Sequence, residues 1–304
     1  MTAILLLLVA LLGSPSCAPC DGPPQHRPPQ AWALRDLPNC TPPVAPAALA
    51  FPSREVGPTQ TTSAVTLSHL VARHPYLPLV VKLPTGCEPI PGVQYATLDP
   101  DGPATAQPAE QHPDLNLALR GYELSGAYRG LTDHSQGADD PRAPQLYTLF
   151  ADHRVPAFPA VYQIYDWDWT CNCRGHLLTD RDVTLVGLAV VPGEVLYLPD
   201  SRYDIGEGYE ALVLYATEDQ ITLKYTLDDN VVIGYTIHVE NVCVEPSLLA
   251  LYRTWNDAGR GELPALRGGQ PFGRARASEI RVAIRDTGTF LDPRSRWDWW
   301  LASP

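Results

Sequence analysis

The chain has 304 residues, with 34 acidic against 22 basic side chains and a formal net charge of -12, which repels phosphate and excludes nucleic acid as the main partner. Only two of the basic residues are lysines. No stretch comes near the roughly 20 apolar residues that span a bilayer, so no transmembrane segment is expected.

Ala3 to Leu12 is an unbroken apolar run followed by the small, turn-prone Gly13-Ser14-Pro15-Ser16. This is the length and ending of an export signal, so residues 1–16 are read as a signal sequence and the mature chain as secreted or cell-surface, outside the cytoplasm. Cys17 stands where lipidated cysteines stand. A lipid anchor there and ordinary cleavage near Ser16 or Ala18 both stay open.

Of 32 prolines, 25 lie at or before Pro159, so the first half is expected to be turns, extended segments and edge strands. Residues 17–60, with Pro23-Pro24, Pro28-Pro29 and Pro42-Pro43, read as a polar Pro-rich linker. Residues 61–160 read as a small irregular β region, with Leu79-Val80-Val81 and Tyr147-Thr148-Leu149-Phe150 as short strands. Residues 161–304 read as a β-rich domain. Val183 to Val191, Ala211 to Tyr215, Gln220 to Tyr225, Val231 to Glu240 and Ile280 to Ile284 carry β-branched and aromatic residues between turns. Leu227-Asp228-Asp229-Asn230 suits a hairpin connection. One helix is expected from Pro246, with Leu248, Leu251, Tyr252 and Trp255 on one face and Gly259 closing it. The fold class is therefore mainly β with one short helix.

Common catalytic signatures are absent: the chain has no H-E-x-x-H, no P-loop, no complete G-x-G-x-x-G and no G-x-S-x-G. Gly206 and Gly208 read as a turn. Without Cys17, six cysteines remain, an even set that suits disulfides in an oxidising compartment. Cys243 is expected to pair with Cys171 or Cys173, and a zinc site from these three with His176 is the alternative. Two clusters, Asp166-Trp167-Asp168-Trp169 and Trp297-Asp298-Trp299-Trp300, set indole faces beside carboxylates. Trp167, Trp169, Trp297 and Trp299 are candidate contacts for a sugar ring, with packing in the core as the alternative. Arg267, Arg274, Arg276, Arg281, Arg285, Arg294 and Arg296 could form an anion-binding patch or ordinary surface salt bridges.

From Leu198 to Pro293 the chain resembles the lysostaphin-type zinc endopeptidases and their β-rich duplicated hybrid motif. Pro199-Asp200-Ser201-Arg202-Tyr203-Asp204-Ile205-Gly206 is similar to that family's H-x-G-x-D-hydrophobic-G, and Tyr235-Thr236-Ile237-His238-Val239 to its Y-A-H-L. Gly269-Gln270-Pro271-Phe272-Gly273, then Val282-Ala283-Ile284-Arg285, Gly288 and Asp292-Pro293, are similar to G-x-x-hydrophobic-G, F-E-I-R, G and D-P. The resemblance puts Asp204 on a metal-ligand aspartate, Asp200 in place of the first ligand histidine, His238 on the site-lining histidine, and Glu279 and Arg281 on H-x-H. Most ligands are thus altered: three positions offer hard oxygens, and Arg281 brings a positive charge where a cation would sit. The segments around Tyr165-Asp166-Trp167, Gly234-Tyr235 and Asp292 to Arg296 are also similar to exported bacterial proteins of uncharacterised activity.

These readings imply a degenerate site without catalytic residues, metal or cofactor. The resulting expectation is an exported, non-catalytic envelope or extracellular protein recognising glycan or peptidoglycan. A divergent cell-wall metallopeptidase or other hydrolase, and a purely structural surface protein, are the alternatives.

Overall fold

A computed structural model describes residues 88–102, 107–135 and 140–301. The expected signal sequence, the lipidation position Cys17, the Pro-rich linker and the strand at Leu79 to Val81 lie outside the described residues. The chain divides into two compact units, Met1–His74 and Pro75–Pro304, and every described residue belongs to the second.

Its elements are β1 (Ala96–Leu98), β2 (Tyr122–Leu124), β3 (Val161–Asp168), β4 (Cys173–Leu177), β5 (Leu185–Ala189) and β6 (Val195–Tyr197). Then come β7 (Ala211–Ala216), β8 (Gln220–Lys224), β9 (Tyr235–Glu240), β10 (Val242–Val244), α1 (Pro246–Asp257) and β11 (Leu263–Leu266). The chain closes with β12 (Pro271–Ala275), β13 (Glu279–Asp286), β14 (Thr289–Leu291) and the single turn α2 (Arg296–Trp299). The strands form a large antiparallel sheet in the order β1-β11-β7-β8-β9-β13-β5-β3-β2, with β14 on β13 and β4 on β3, and a small sheet β10-β12-β6.

The expected mainly β architecture is thus present. A boundary near residue 160 is not: β1 joins β11 and β2 joins β3, so strands from both halves share one sheet. The physical reason is burial. Leu115, Leu146, Leu149 and Phe150 lie in the same core cluster as Val213, Ile237 and Ile284, and could not leave it without exposing apolar surface. Tyr147 to Phe150 departs from the expected strand: Leu146–Leu149 is a 3₁₀ turn, and Phe150 follows it. The Thr148 amide and hydroxyl both donate to Gln145 O, closing the turn, and Leu146, Leu149 and Phe150 are buried.

Helix α1 starts as its sequence suggests. Pro246 occupies the first turn, where its missing N–H costs no hydrogen bond, and the Glu245 carboxylate accepts from the amides of Ser247 and Leu248. Leu248, Leu249 and Tyr252 are buried, and Gly259 at φ +95° ends the helix. Just beyond it, Arg260 donates to both oxygens of the buried Asp229 at 2.5 and 2.8 Å and to Leu214 O, tying the helix end to β7 and the β8–β9 connection.

Strand alternation divides the large sheet into two buried faces. On one, Val282 pairs with Val239 and Ile284 with Ile237, while Leu223 sits opposite Ile237 across β8. This face joins Leu196, Val242, Val244 and Phe272 of the small sheet in the main core. On the other, Arg281 pairs with Glu240, Ala283 with His238 and Arg285 with Thr236, and β8 continues the rows with Gln220, Thr222 and Lys224. The second face is polar, yet most of it is buried.

Candidate functional site

The polar face is covered by the segment from Pro113 to Gly121. Thr222 Oγ1 donates to Leu115 O at 2.7 Å, and Gln220 Nε2 donates to Asn116 Oδ1 at 3.1 Å. Leu117 packs with Ile164, Leu185, Ala283 and Phe290 in a small apolar cluster. Asp114 holds the segment down, accepting from Arg120 Nη2 at 2.6 Å and Arg285 Nη1 at 2.7 Å. Burial alone would raise the Asp114 pKa, but the two guanidiniums hold it at about 2. The ring of Phe290 lies under both arginines, 4.5 Å from Arg285 and 5.5 Å from Arg120.

His238 lies inside this arrangement. The Thr222 hydroxyl has one proton, which goes to Leu115 O, so toward His238 Nδ1 at 3.0 Å it accepts. His238 is therefore the Nδ1–H tautomer, with Nε2 a buried lone pair that has no hydrogen-bond partner among the described residues. Burial, then the nearby Arg285, push its pKa down to about 3, so the ring is neutral at physiological pH.

Two cavities flank the covering segment. The first, of about 260 Å³, lies between Arg120, Asp166, Arg181, Thr184, Arg285 and Phe290. The second, of about 210 Å³, is lined by Tyr122, Asp219, Gln220, Glu240, Asn241 and Arg281. There Tyr122 Oη donates to Glu240 Oε2 at 2.9 Å and accepts from Arg281 Nη1 at 2.8 Å. Arg281 Nε donates to Glu279 Oε1 at 3.1 Å, and Tyr162 Oη donates to the same oxygen. Gly187 makes room for that carboxylate, since a Cβ there would sit 2.8 Å from the Glu279 carboxyl carbon. Burial raises the Glu240 pKa.

Of the positions singled out by the resemblance, His238, Glu279 and Arg281 share the polar face on adjacent strands. Asp200 and Asp204 are not brought to it. Tyr225 follows Lys224 and so points to the apolar face, where its hydroxyl donates to Pro199 O, the neighbour of Asp200. Asp200 instead meets Glu210: both carboxylates lie within 3.1 Å of where a Cβ on Gly268 would stand. Burial raises both pKa values. The Asp204 carboxylate accepts from the amides of Gly206 and Gly208, closing the expected turn. These positions do not form one zinc donor set, and among the described residues no three His, Cys, Asp or Glu side chains gather to hold a metal ion.

The cysteines depart from the expected pairing. Cys171 bonds Cys173, with Cα atoms 5.3 Å apart across Asn172, whose φ of +51° tightens the β3–β4 turn. Cys243 is disulfide-bonded as well, and not to either of these. No zinc site forms from the three.

The tryptophans separate sharply. Trp169, on the β3–β4 turn, is 52 % exposed and tilts against His112 at 5.6 Å, while Trp297 is 55 % exposed. Trp167 is half-buried and donates to Asn172 Oδ1. Trp299, expected as a ligand contact, is fully buried: its indole donates to Asp292 O and its ring packs edge-on against Tyr235. The seven arginines do not make one patch. Arg285 and Arg294 are buried on Asp114 and Asp292, Arg274 donates to Glu88 O and Gly193 O, and Arg267 lies over Tyr209.

Asp114, Arg120 and Glu240 carried no signal in the sequence beyond their charge. Their roles come from partners far away along the chain, such as Asp114 and Arg285, 171 residues apart. No helix among the described residues is long and apolar enough to cross a membrane. No protein-family model, no curated protein and no solved structure matches the chain.

Proposed function

We propose that the protein is an exported, non-catalytic binding protein of the envelope or extracellular space that recognises a glycan, with peptidoglycan as the first substrate class to test. The observation that carries this reading is the β3–β4 hairpin. Its disulfide-closed turn presents the exposed face of Trp169, and its stem carries Asp166 into the wall of the larger cavity. A sugar ring offers C–H groups on its face, which suit an exposed indole, and hydroxyls around its rim, which suit the carboxylates and guanidiniums of the cavity wall. A closed turn also lowers the ordering cost of binding. The hydrolase reading has no comparable support, because water activation by zinc needs about three ligands and an open position.

The test is binding of the purified chain to insoluble peptidoglycan and to soluble oligosaccharides, followed by titration calorimetry. Saturable binding without release of peptide or reducing ends is expected. Trp169→Ala should weaken it about tenfold, the scale of one lost aromatic contact. Absence of binding, or chelator-sensitive cleavage of the wall, would overturn the reading.

A further inference from the structure

We propose that the larger cavity is the subsite for the carboxylate of an acidic sugar, with Arg181 and Arg285 as its anion-binding groups. This rests on the glycan reading and names the ligand class at the same site. Arg285 is the more deeply buried of the two guanidiniums. This side chain lines the cavity, has 5 % of its side-chain surface exposed and carries five N–H groups. Nε and Nη2 donate to Gly288 O, and Nη1 donates to Asp114. Each nitrogen thus has one acceptor, and one N–H on each of Nη1 and Nη2 has none among the described residues and remains able to donate.

The carboxylates around the cavity, Asp114, Asp166 and Asp180, equal its guanidiniums in number but are unevenly placed, and Asp180 makes no ion pair with Arg181 among the described residues. Asp114 serves Arg120 and Arg285 together, and the next carboxylate, Asp166, meets Arg120 at 3.4 Å from a half-exposed position. Arg181 completes the cavity wall, and its guanidinium makes no hydrogen bond or ion pair with any described residue. A carboxylate is the planar acceptor that guanidinium forks fit best.

The rest of the wall suits a sugar more than a bare anion. Asp180 offers an acceptor to a hydroxyl, Thr184, whose Oγ1 already accepts from Ile164 N, offers its O–H as a donor, and Leu178 and Phe290 offer an apolar wall to the ring. Inorganic phosphate would meet the guanidiniums but leave these groups unused. The space, about 260 Å³, suits one ring.

The experiment compares oligoglucuronate with its methyl ester, titrated into the protein by calorimetry, with glycine and inorganic phosphate as competitors. The acid should bind at least tenfold more tightly than the ester. That preference should shrink with added salt and disappear in Arg181→Gln, a variant whose melting temperature should match the parent because Arg181 has no side-chain partner to lose among the described residues. Trp169→Ala should weaken acid and ester alike. Equal binding of acid and ester, both weakened by Trp169→Ala, would overturn the carboxylate subsite and leave the glycan reading standing. Failure to bind peptidoglycan or either oligosaccharide would overturn both. Competition by glycine or phosphate as strong as that of glucuronate would mark a general zwitterion or anion site and overturn the acidic-sugar assignment.

Discussion

The two faces of the large sheet are built by the same strands and are buried to similar depth, yet they are held together differently. On the apolar face, Ile237, Val239, Val282 and Ile284 need only neighbours of suitable volume. On the polar face, Thr222, His238, Arg285 and Asp114 are held by particular polar partners, and the loss of Thr222 or Asp114 strips a hydrogen bond from more than one buried group. Burial by itself therefore says little about how a substitution will be tolerated.

The sharpest way to break the comparison is Asp114→Ala, which leaves Arg120 and Arg285 buried without their shared carboxylate. A loss of about 3–5 kcal/mol is expected in urea unfolding, the range for removing one partner of a buried ion pair. Leu188→Ala, at a fully buried position of β5 in the main core, should cost about 2–4 kcal/mol through lost contacts and a cavity. If Asp114→Ala proved milder than Leu188→Ala, the polar face would not depend on its charge pairs.

The next prediction separates the faces by pH. The His238 pKa is about 3 in the folded chain against 6.5 for the free side chain. A lowered folded-state pKa means that the unfolded chain takes up the proton first, so stability falls as pH drops from about 6.5 toward about 3, by up to about 1.4 kcal/mol per unit from this residue. His238→Phe removes that contribution, and Thr222 keeps its bond to Leu115 O. Melting temperatures measured from pH 7 to pH 4 should fall less steeply in the variant. Parallel curves would show that His238 does not titrate as its burial dictates.

The apolar face was largely legible in the sequence, because runs of β-branched and aromatic residues bounded by turns are a local signal. They placed β5, β7, β8, β9 and β13 within a few residues, and Pro246 and Gly259 marked helix α1 at both ends. The polar face was not legible in the same way. His238, Glu279 and Arg281 stood out only through the resemblance, while Asp114, Arg120 and Glu240 look like ordinary charged residues until the fold sets them under one another. The boundary near residue 160 and the strand at Tyr147 failed for a related reason: proline density reports local backbone, not which sheet a short strand will join. The Cys171–Cys173 bond depends on the left-handed backbone of Asn172, which spacing alone does not reveal.

The smallest expected effect tests whether the polar face carries a cost that the apolar face does not. Glu240 is buried beside Tyr122 and Arg281, and burial raises its pKa above the ordinary 4.5. A raised carboxyl pKa means that the folded chain holds the proton more tightly than the unfolded chain, so this contribution is fully present below about 4.5 and is lost as pH rises through the folded value. Near pH 7 the carboxylate is therefore held in a place that disfavours its charge. In Glu240→Gln the side-chain oxygen can still accept from Tyr122 Oη, and the new amide faces the 210 Å³ cavity, where water can meet it. The variant should gain about 0.5–1 kcal/mol at pH 7, a rise of roughly 2–4 °C in melting temperature, and the gain should vanish near pH 4. Arg281 sets the opposing effect, since its Nη1 lies 4.0 Å from Glu240 Oε2 and attracts the charged form. Destabilisation at pH 7 would show that this attraction outweighs the burial cost and that Glu240 belongs with Asp114 among the charges that hold the face together.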